Sequence, residues 1–133
     1  MTVTWLFDVD GTLIDGITGG SLRPGARPLL EALRARGVRV VLWSSGGADY
    51  AWRKARDNGF DDLVDETYSK VRADPDGLWD LPEEFVLAPP AVLVDDMSHE
   101  VPPVGEVVTV RQYLGPNPYD TGLAALVERA LAA

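Results

Sequence analysis

The chain has no cysteine and a single histidine, His99, among its 133 residues. Without thiols, disulfides, zinc–thiolate sites and thiol catalysis are excluded. Lysine is also scarce, with only Lys54 and Lys70. Basic charge is in the minority: 12 Lys and Arg stand against 21 Asp and Glu, for a formal net charge of -9. That balance offers no broad basic face to a phosphate backbone and weighs against nucleic-acid binding by bulk electrostatics, though a local cationic site remains open. No apolar run approaches the ~20 residues that span a bilayer. The N-terminus reads as a strand with an acidic end, not as a basic stretch followed by an apolar signal segment. A soluble, cytoplasmic protein without a membrane partner is the expectation.

What is present suits a folded domain. Hydrophobic residues make up 46% of the chain and charged residues 25%, an ordinary globular balance, and the length fits one domain over residues 1–133. Val3 to Phe7 is an apolar, β-branched run that stops at Asp8-Val9-Asp10-Gly11-Thr12, which reads as a buried strand ending in a polar loop. Gly16, Gly19 and Gly20 break residues 11–22 into a loop or small flap. Ala26–Arg36 carries Leu29, Leu30 and Leu33 at helical spacing, with Gly37 placed to end the helix. Val38–Trp43 is a second apolar run, closed by Ser44-Ser45-Gly46-Gly47, and a helix over Ala48–Asn58 stops at Gly59.

Further along, Glu66–Ser69 predicts a short strand before Lys70, and Asp74-Pro75-Asp76-Gly77 is turn chemistry. Leu81–Leu87 predicts a helical turn leading to a strand. Ala91–Val94 is a third apolar run, ending in Asp95-Asp96, and Val107–Val110 is a fourth. Asp120 is placed to cap a last helix that carries Leu123, Leu126, Val127 and Leu131 inward. Strands alternating with helices predict an α/β fold of Rossmann-like, three-layer type, its mostly parallel sheet covered on both faces. The chemistry of such sheets collects in the crevice beyond the strands' carboxyl ends. Here those ends carry Asp-x-Asp, Ser-Ser-Gly-Gly and Asp-Asp.

Asp8, Asp10 and Asp95 in one crevice repel one another unless protons or a cation relieve them. A hard divalent cation with oxygen ligands is the natural remedy, Mg²⁺ foremost. Lys70 and the Ser44 hydroxyl add donors for an anion. Together they form a site for a phosphoryl group, where one carboxylate attacks phosphorus while cation and lysine neutralise developing charge.

Asp8-Val9-Asp10-Gly11-Thr12-Leu13 after an apolar strand resembles the first signature of the haloacid dehalogenase superfamily. Val41-Leu42-Trp43-Ser44 resembles the second, Lys70 suits the third and Val94-Asp95-Asp96 the fourth, in family order over nearly the whole chain. Part of the spacing around Lys70 resembles that of the small magnesium-dependent phosphatases. The resemblance implies a phosphatase in which Asp8 is the nucleophile, forms an aspartyl-phosphate and ligates Mg²⁺. It makes Asp10 the group that protonates the leaving oxygen and then activates water, its carbonyl a further metal ligand. Ser44 and Lys70 hold the phosphoryl oxygens, backbone N–H groups near Val9 to Gly11 assist, Asp95 completes the metal site, and Asp96 joins it directly or through water. Ser45, in Ser45-Gly46-Gly47, competes with Ser44 for the second signature. Glu100 is a candidate for supporting the metal shell or Lys70, and His99 for touching substrate at the rim.

Only residues 13–23 lie between Thr12 and Pro24, and residues 48–69 are filled by a helix and a strand, so neither place of insertion holds a substrate-covering domain. The resemblance is therefore to capless relatives with an open site. Trp5 and Trp43 read as core; Trp52 and Trp79 either pack or line an entrance. A receiver domain is excluded by order, because it places its lysine after the hydroxyl residue near the C-terminus. Dehalogenation has no use for Asp10 or the magnesium site. A non-catalytic binding module of the same fold and a polynucleotide-end phosphatase acting with a partner remain as alternatives. The substrate is a phosphorylated molecule whose identity the sequence does not specify.

Overall fold

The computed structural model describes residues 3–72, 79–97 and 105–132. Its elements run β1 (Thr4–Phe7), α1 (Ala26–Ala35), β2 (Arg39–Ser44), α2 (Ala48–Asp57), a 3-10 turn (Asp61–Leu63), β3 (Glu66–Ser69), β4 (Val71–Arg72), β5 (Trp79–Asp80), β6 (Ala91–Asp95), β7 (Glu106–Thr109) and α3 (Ala124–Ala132). Five strands form a parallel sheet in the order β3-β2-β1-β6-β7, and β4 and β5 pair separately as an antiparallel ribbon. The protein is thus α/β, with a central parallel sheet flanked by helices.

Strand order dictates which face each connection covers. The crossovers from β1 to β2 and from β2 to β3 step the same way, and right-handed crossovers then place α1 and α2 on one face. The connection from β3 to β6 steps back across the sheet and falls on the other face. The core divides accordingly. Trp5, Phe7, Val40, Leu42, Val92 and Val94 pack with the buried sides of α1, α2 and α3. Leu6, Val41, Trp43, Ala91 and Leu93 pack on the opposite face with Phe85, Tyr68, Trp79, Leu81 and Leu87. Alternation along each strand produces this split. Among the described residues, the second face is covered by irregular chain and the β4–β5 ribbon, and all three helices lie on the first.

The predicted boundaries of α1 and α2 stand to within a residue, and Gly37 and Gly59 close them with φ of +72° and +76°, a region a side chain disfavours. Three expectations need correction. Leu81–Leu87 forms no helical turn and leads to no strand; it makes a turn in which Phe85 N–H donates to Pro82 O at 3.0 Å. Leu131 does not point inward but is 59% exposed; α3 turns Leu126, Val127 and Ala130 to the core. Asp120 does not cap α3, which starts at Ala124; its carboxylate is taken by Arg23, whose Nε donates to Oδ2 at 2.9 Å and whose Nη2 donates to Oδ1 at 3.1 Å.

That pair is a structural strut. The Arg23 side chain is fully buried, and its Nη1 also donates to Thr12 O at 3.2 Å, so a loop near the C-terminus is tied to the loop after β1. Burial acts to raise the Asp120 pKa, but hydrogen bonds from Arg23 and Gly122 outweigh it and hold the carboxyl below its ordinary value. A carboxyl depressed in the folded state contributes stability above its unfolded value and loses it as pH falls through the folded one. Asp120→Asn leaves a buried guanidinium short of its counter-charge, so at pH 7 the variant should lose about 3 kcal/mol. Urea unfolding should show the gap to wild type narrowing below about pH 4; a gap that stays constant across that range removes the ion pair as its cause.

Candidate active site

The sheet order reverses between β1 and β6, the place where crevices form beyond the carboxyl ends of parallel strands. Asp8 follows β1 directly and Asp95 is the last residue of β6. Two residues before them, Leu6 and Leu93 lie in the core of the second face; Tyr68, two before Lys70, packs there as well. The period of two carries each strand's next same-side position to the rim. One face of the sheet therefore changes at its upper edge from apolar to charged.

There Lys70 Nζ donates to Asp8 Oδ1 at 2.9 Å and to Asp95 Oδ2 at 3.1 Å, 4.9 Å above the ring of Trp43. Thr12 Oγ1 donates to Asp8 Oδ2 at 2.9 Å, and Met97 N–H to Asp95 Oδ1 at 2.8 Å. Both carboxylates are buried, Asp8 8% and Asp95 3% exposed. Burial pushes the Asp8 carboxyl up to about 8, against the opposing pull of Lys70 and with repulsion from Asp95 adding to the rise. Asp95 is also raised, chiefly by burial. Burial works to lower Lys70, but the two carboxylates outweigh it and its pKa rises. One charged lysine between two desolvated carboxyls leaves the cluster short of positive charge whenever both are ionised.

Gly11 makes the third carboxylate possible. Its φ is +81°, and a Cβ there would stand 2.5 Å from Asp96 Oδ2, so the loop after β1 needs glycine both for its turn and for Asp96 to close in. Asp8, Asp95 and Asp96 each offer an oxygen, all within 4.8 Å of one another. Clustered hard oxygen donors and a deficit of positive charge suit Mg²⁺. The Asp10 carboxylate is not part of this group. It is half-buried, and its Oδ1 accepts from the Tyr50 hydroxyl at 2.9 Å.

The serines separate. Ser44 is 2% exposed, and its Oγ accepts from Gly46 N–H at 3.1 Å. Ser45 is exposed and lines a cavity of about 200 Å³ shared with Asp8, Asp10, Lys70, Asp95 and Asp96. Trp79 does both things expected of it, packing in the second core and walling this cavity. Trp5 and Trp43 are core. One backbone donor expected for the phosphoryl group is otherwise engaged, since Gly11 N–H donates to Ile14 O at 2.9 Å. His99, Glu100 and the turn at Asp74–Gly77 lie outside the described residues.

Two groups were not foreseen from the sequence. Tyr50 reads there as one more residue of an amphipathic helix. Tyr113 reads as loop, yet its N–H donates to Gly11 O at 2.8 Å and its carbonyl accepts from Gly16 N–H at 2.8 Å, so it clamps the flap over residues 11–22. Within that flap the buried Asp15 accepts from Thr18 Oγ1 at 2.8 Å and Ser21 N–H at 2.9 Å. A larger apolar cleft of about 450 Å³ opens at the other end of the sheet, between Val3, Trp5, Leu33 and Ala130. None of Asp8, Asp10, Asp95 and Asp96 lines it. Among the described residues no helix is long and apolar enough to cross a membrane.

No family model matches the chain, and no curated protein matches it. Among solved structures, it is similar to an NMR structure of the core domain of a "putative phosphoglycolate phosphatase" from Streptococcus pneumoniae TIGR4, with a TM-score of 0.50 and 13% sequence identity, covering 82% of this chain and 89% of that one. At that identity the likeness speaks for the fold.

Proposed function

We propose that this protein is a capless, magnesium-dependent phosphohydrolase of the haloacid dehalogenase type, cleaving phosphomonoesters through an aspartyl-phosphate on Asp8. The observation that carries the reading is Lys70 bridging Asp8 and Asp95 in a small cavity, with Asp96 against Gly11. The fold neighbour, named for a phosphatase, is consistent with it.

Asp8 attacks phosphorus, and the bond from phosphorus to the leaving oxygen breaks. Asp10 gives its proton to that oxygen. Water then attacks the acyl phosphate, Asp10 takes the proton back, and inorganic phosphate departs with Asp8 restored. Lys70 faces the phosphoryl oxygens and neutralises charge that builds on them. The hydroxyl that donates to a phosphoryl oxygen is that of Ser45, on the cavity wall, or of Ser44 buried beside it. Asp8, Asp95 and Asp96, with the Asp10 carbonyl, would hold Mg²⁺, and the ion would supply the positive charge the cluster lacks.

The test is hydrolysis of p-nitrophenyl phosphate with Mg²⁺ and with EDTA. Activity that requires Mg²⁺ supports the proposal, and a folded protein inert under both conditions, over a panel of phosphomonoesters, sinks it. The metal assignment has its own readout: Asp95→Ala should weaken Mg²⁺ binding by calorimetry on the order of 10–100-fold. Unchanged affinity would remove Asp95 from the metal site.

A further inference from the structure

Tyr50 lies in the first turn of α2, where its ring leans over the loop that joins β2 to the helix. A Cβ on Gly46 would stand 2.6 Å from Tyr50 Cδ1, so the ring lies flush on backbone that only glycine leaves bare. Arg53 and Lys54 sit 5.7 and 5.6 Å from the ring centroid and hold its other surroundings. The ring is thereby fixed, and its hydroxyl points across to the β1 loop, meeting Asp10 Oδ1 at 2.9 Å.

A protonated carboxyl carries one O–H, on one of its two oxygens. Tyrosine donating into Oδ1 makes that oxygen an acceptor, so the acid proton resides on Oδ2. Oδ2 has no partner among the described residues, and Asp10 lines the cavity. We propose that Tyr50 is a positioning residue that locks the Asp10 carboxyl in one rotamer and confines its transferable proton to the oxygen facing the leaving group. This rests on the phosphohydrolase reading, in which Asp10 is the proton donor. Tyr50 itself touches neither phosphorus nor the leaving oxygen. Its part is orientation, and misorienting a proton donor costs most where the leaving group most needs its proton.

The experiment compares wild type with Tyr50→Phe on 2,4-dinitrophenyl phosphate and phenyl phosphate, in saturating Mg²⁺. The dinitrophenolate leaves with little protonation, whereas phenolate needs it. The variant should lose about tenfold in kcat/KM on phenyl phosphate and less than about threefold on the dinitrophenyl ester, a fraction of what general acid catalysis supplies. Phenylalanine keeps the ring, so the melting temperature and calorimetric Mg²⁺ affinity should match wild type. Equal losses on the two esters, no loss on either, or weakened Mg²⁺ binding would each overturn the positioning role while leaving the phosphohydrolase reading intact. Wild-type protein inert on both esters overturns that reading and this assignment with it.

Discussion

Asp8→Asn should abolish turnover, on the order of 10⁴-fold or more, in a protein that still folds. An amide has the shape of the carboxyl, and its oxygen still accepts from Lys70, but it has no electron pair able to attack phosphorus. The fold should tolerate the change because Asp8 is a burden on stability in the metal-free state. Burial holds its pKa near 8 against the ordinary 3.8. A carboxyl raised in the folded state is harmless below its unfolded value, and its ionisation works increasingly against folding as pH climbs toward the folded value. With EDTA present, the Asn variant should therefore gain on wild type between about pH 4 and pH 8 in urea unfolding. Substantial residual hydrolysis would remove Asp8 as nucleophile; a variant that loses ground with rising pH would contradict the burial account.

Lys70→Met should damage both chemistry and stability. The lysine side chain is 7% exposed and salt-bridged to two carboxylates that are themselves buried. Methionine fills a similar volume but leaves Asp8 and Asp95 facing each other with no cation. Breaking a buried pair in this way removes about 3–5 kcal/mol, moderated as one carboxyl takes up a proton. Turnover should fall on the order of 10²–10³-fold, the scale of losing one preorganised charge opposite a developing anion. Mg²⁺ should restore more stability to the variant than to wild type, because the added cation then supplies the only positive charge in the cluster. Chemical unfolding with EDTA and with Mg²⁺ measures this directly. Turnover within tenfold of wild type would detach Lys70 from the phosphoryl group.

The parts of the site that were legible are those written into strand ends. Asp8 and Asp95 stand at the ends of apolar or β-branched runs, and a buried parallel strand announces itself by such a run; Lys70 follows the half-buried edge strand Glu66–Ser69. Their convergence then follows from strand order alone. Tyr50 was hidden because its contact with Asp10 depends on how far α2 leans over the neighbouring loop, which no spacing within the helix encodes. The Asp120 misreading has a similar origin. An aspartate before an apolar helical pattern satisfies the local capping rule; here Asp120 Oδ2 does accept from Gly122 N–H, but in the turn ahead of α3, and it shares that carboxylate with a buried arginine from the β1 loop. The two serines part on one residue of strand length: β2 runs through Ser44, which is buried, and Ser45 stands on the cavity wall. For Leu81–Leu87 the apolar content was read as regular structure, whereas Leu81, Phe85 and Leu87 cover the second face without it.

Besides its own local hydrogen bonds, the loop after β1 is tied to partners distant in the chain: Lys70 and Asp96 at its acidic end, Tyr113 at Gly11, and Asp120 through Arg23. Closing such contacts requires ordering long stretches of chain before any reward is collected, and that makes them late events on the folding path. Local helices can form and fade in a partly folded chain, but the carboxylates meet only when the last long-range contact has closed. A chain still lacking its C-terminal residues therefore leaves the loop after β1 without its clamps at Gly11 and Arg23.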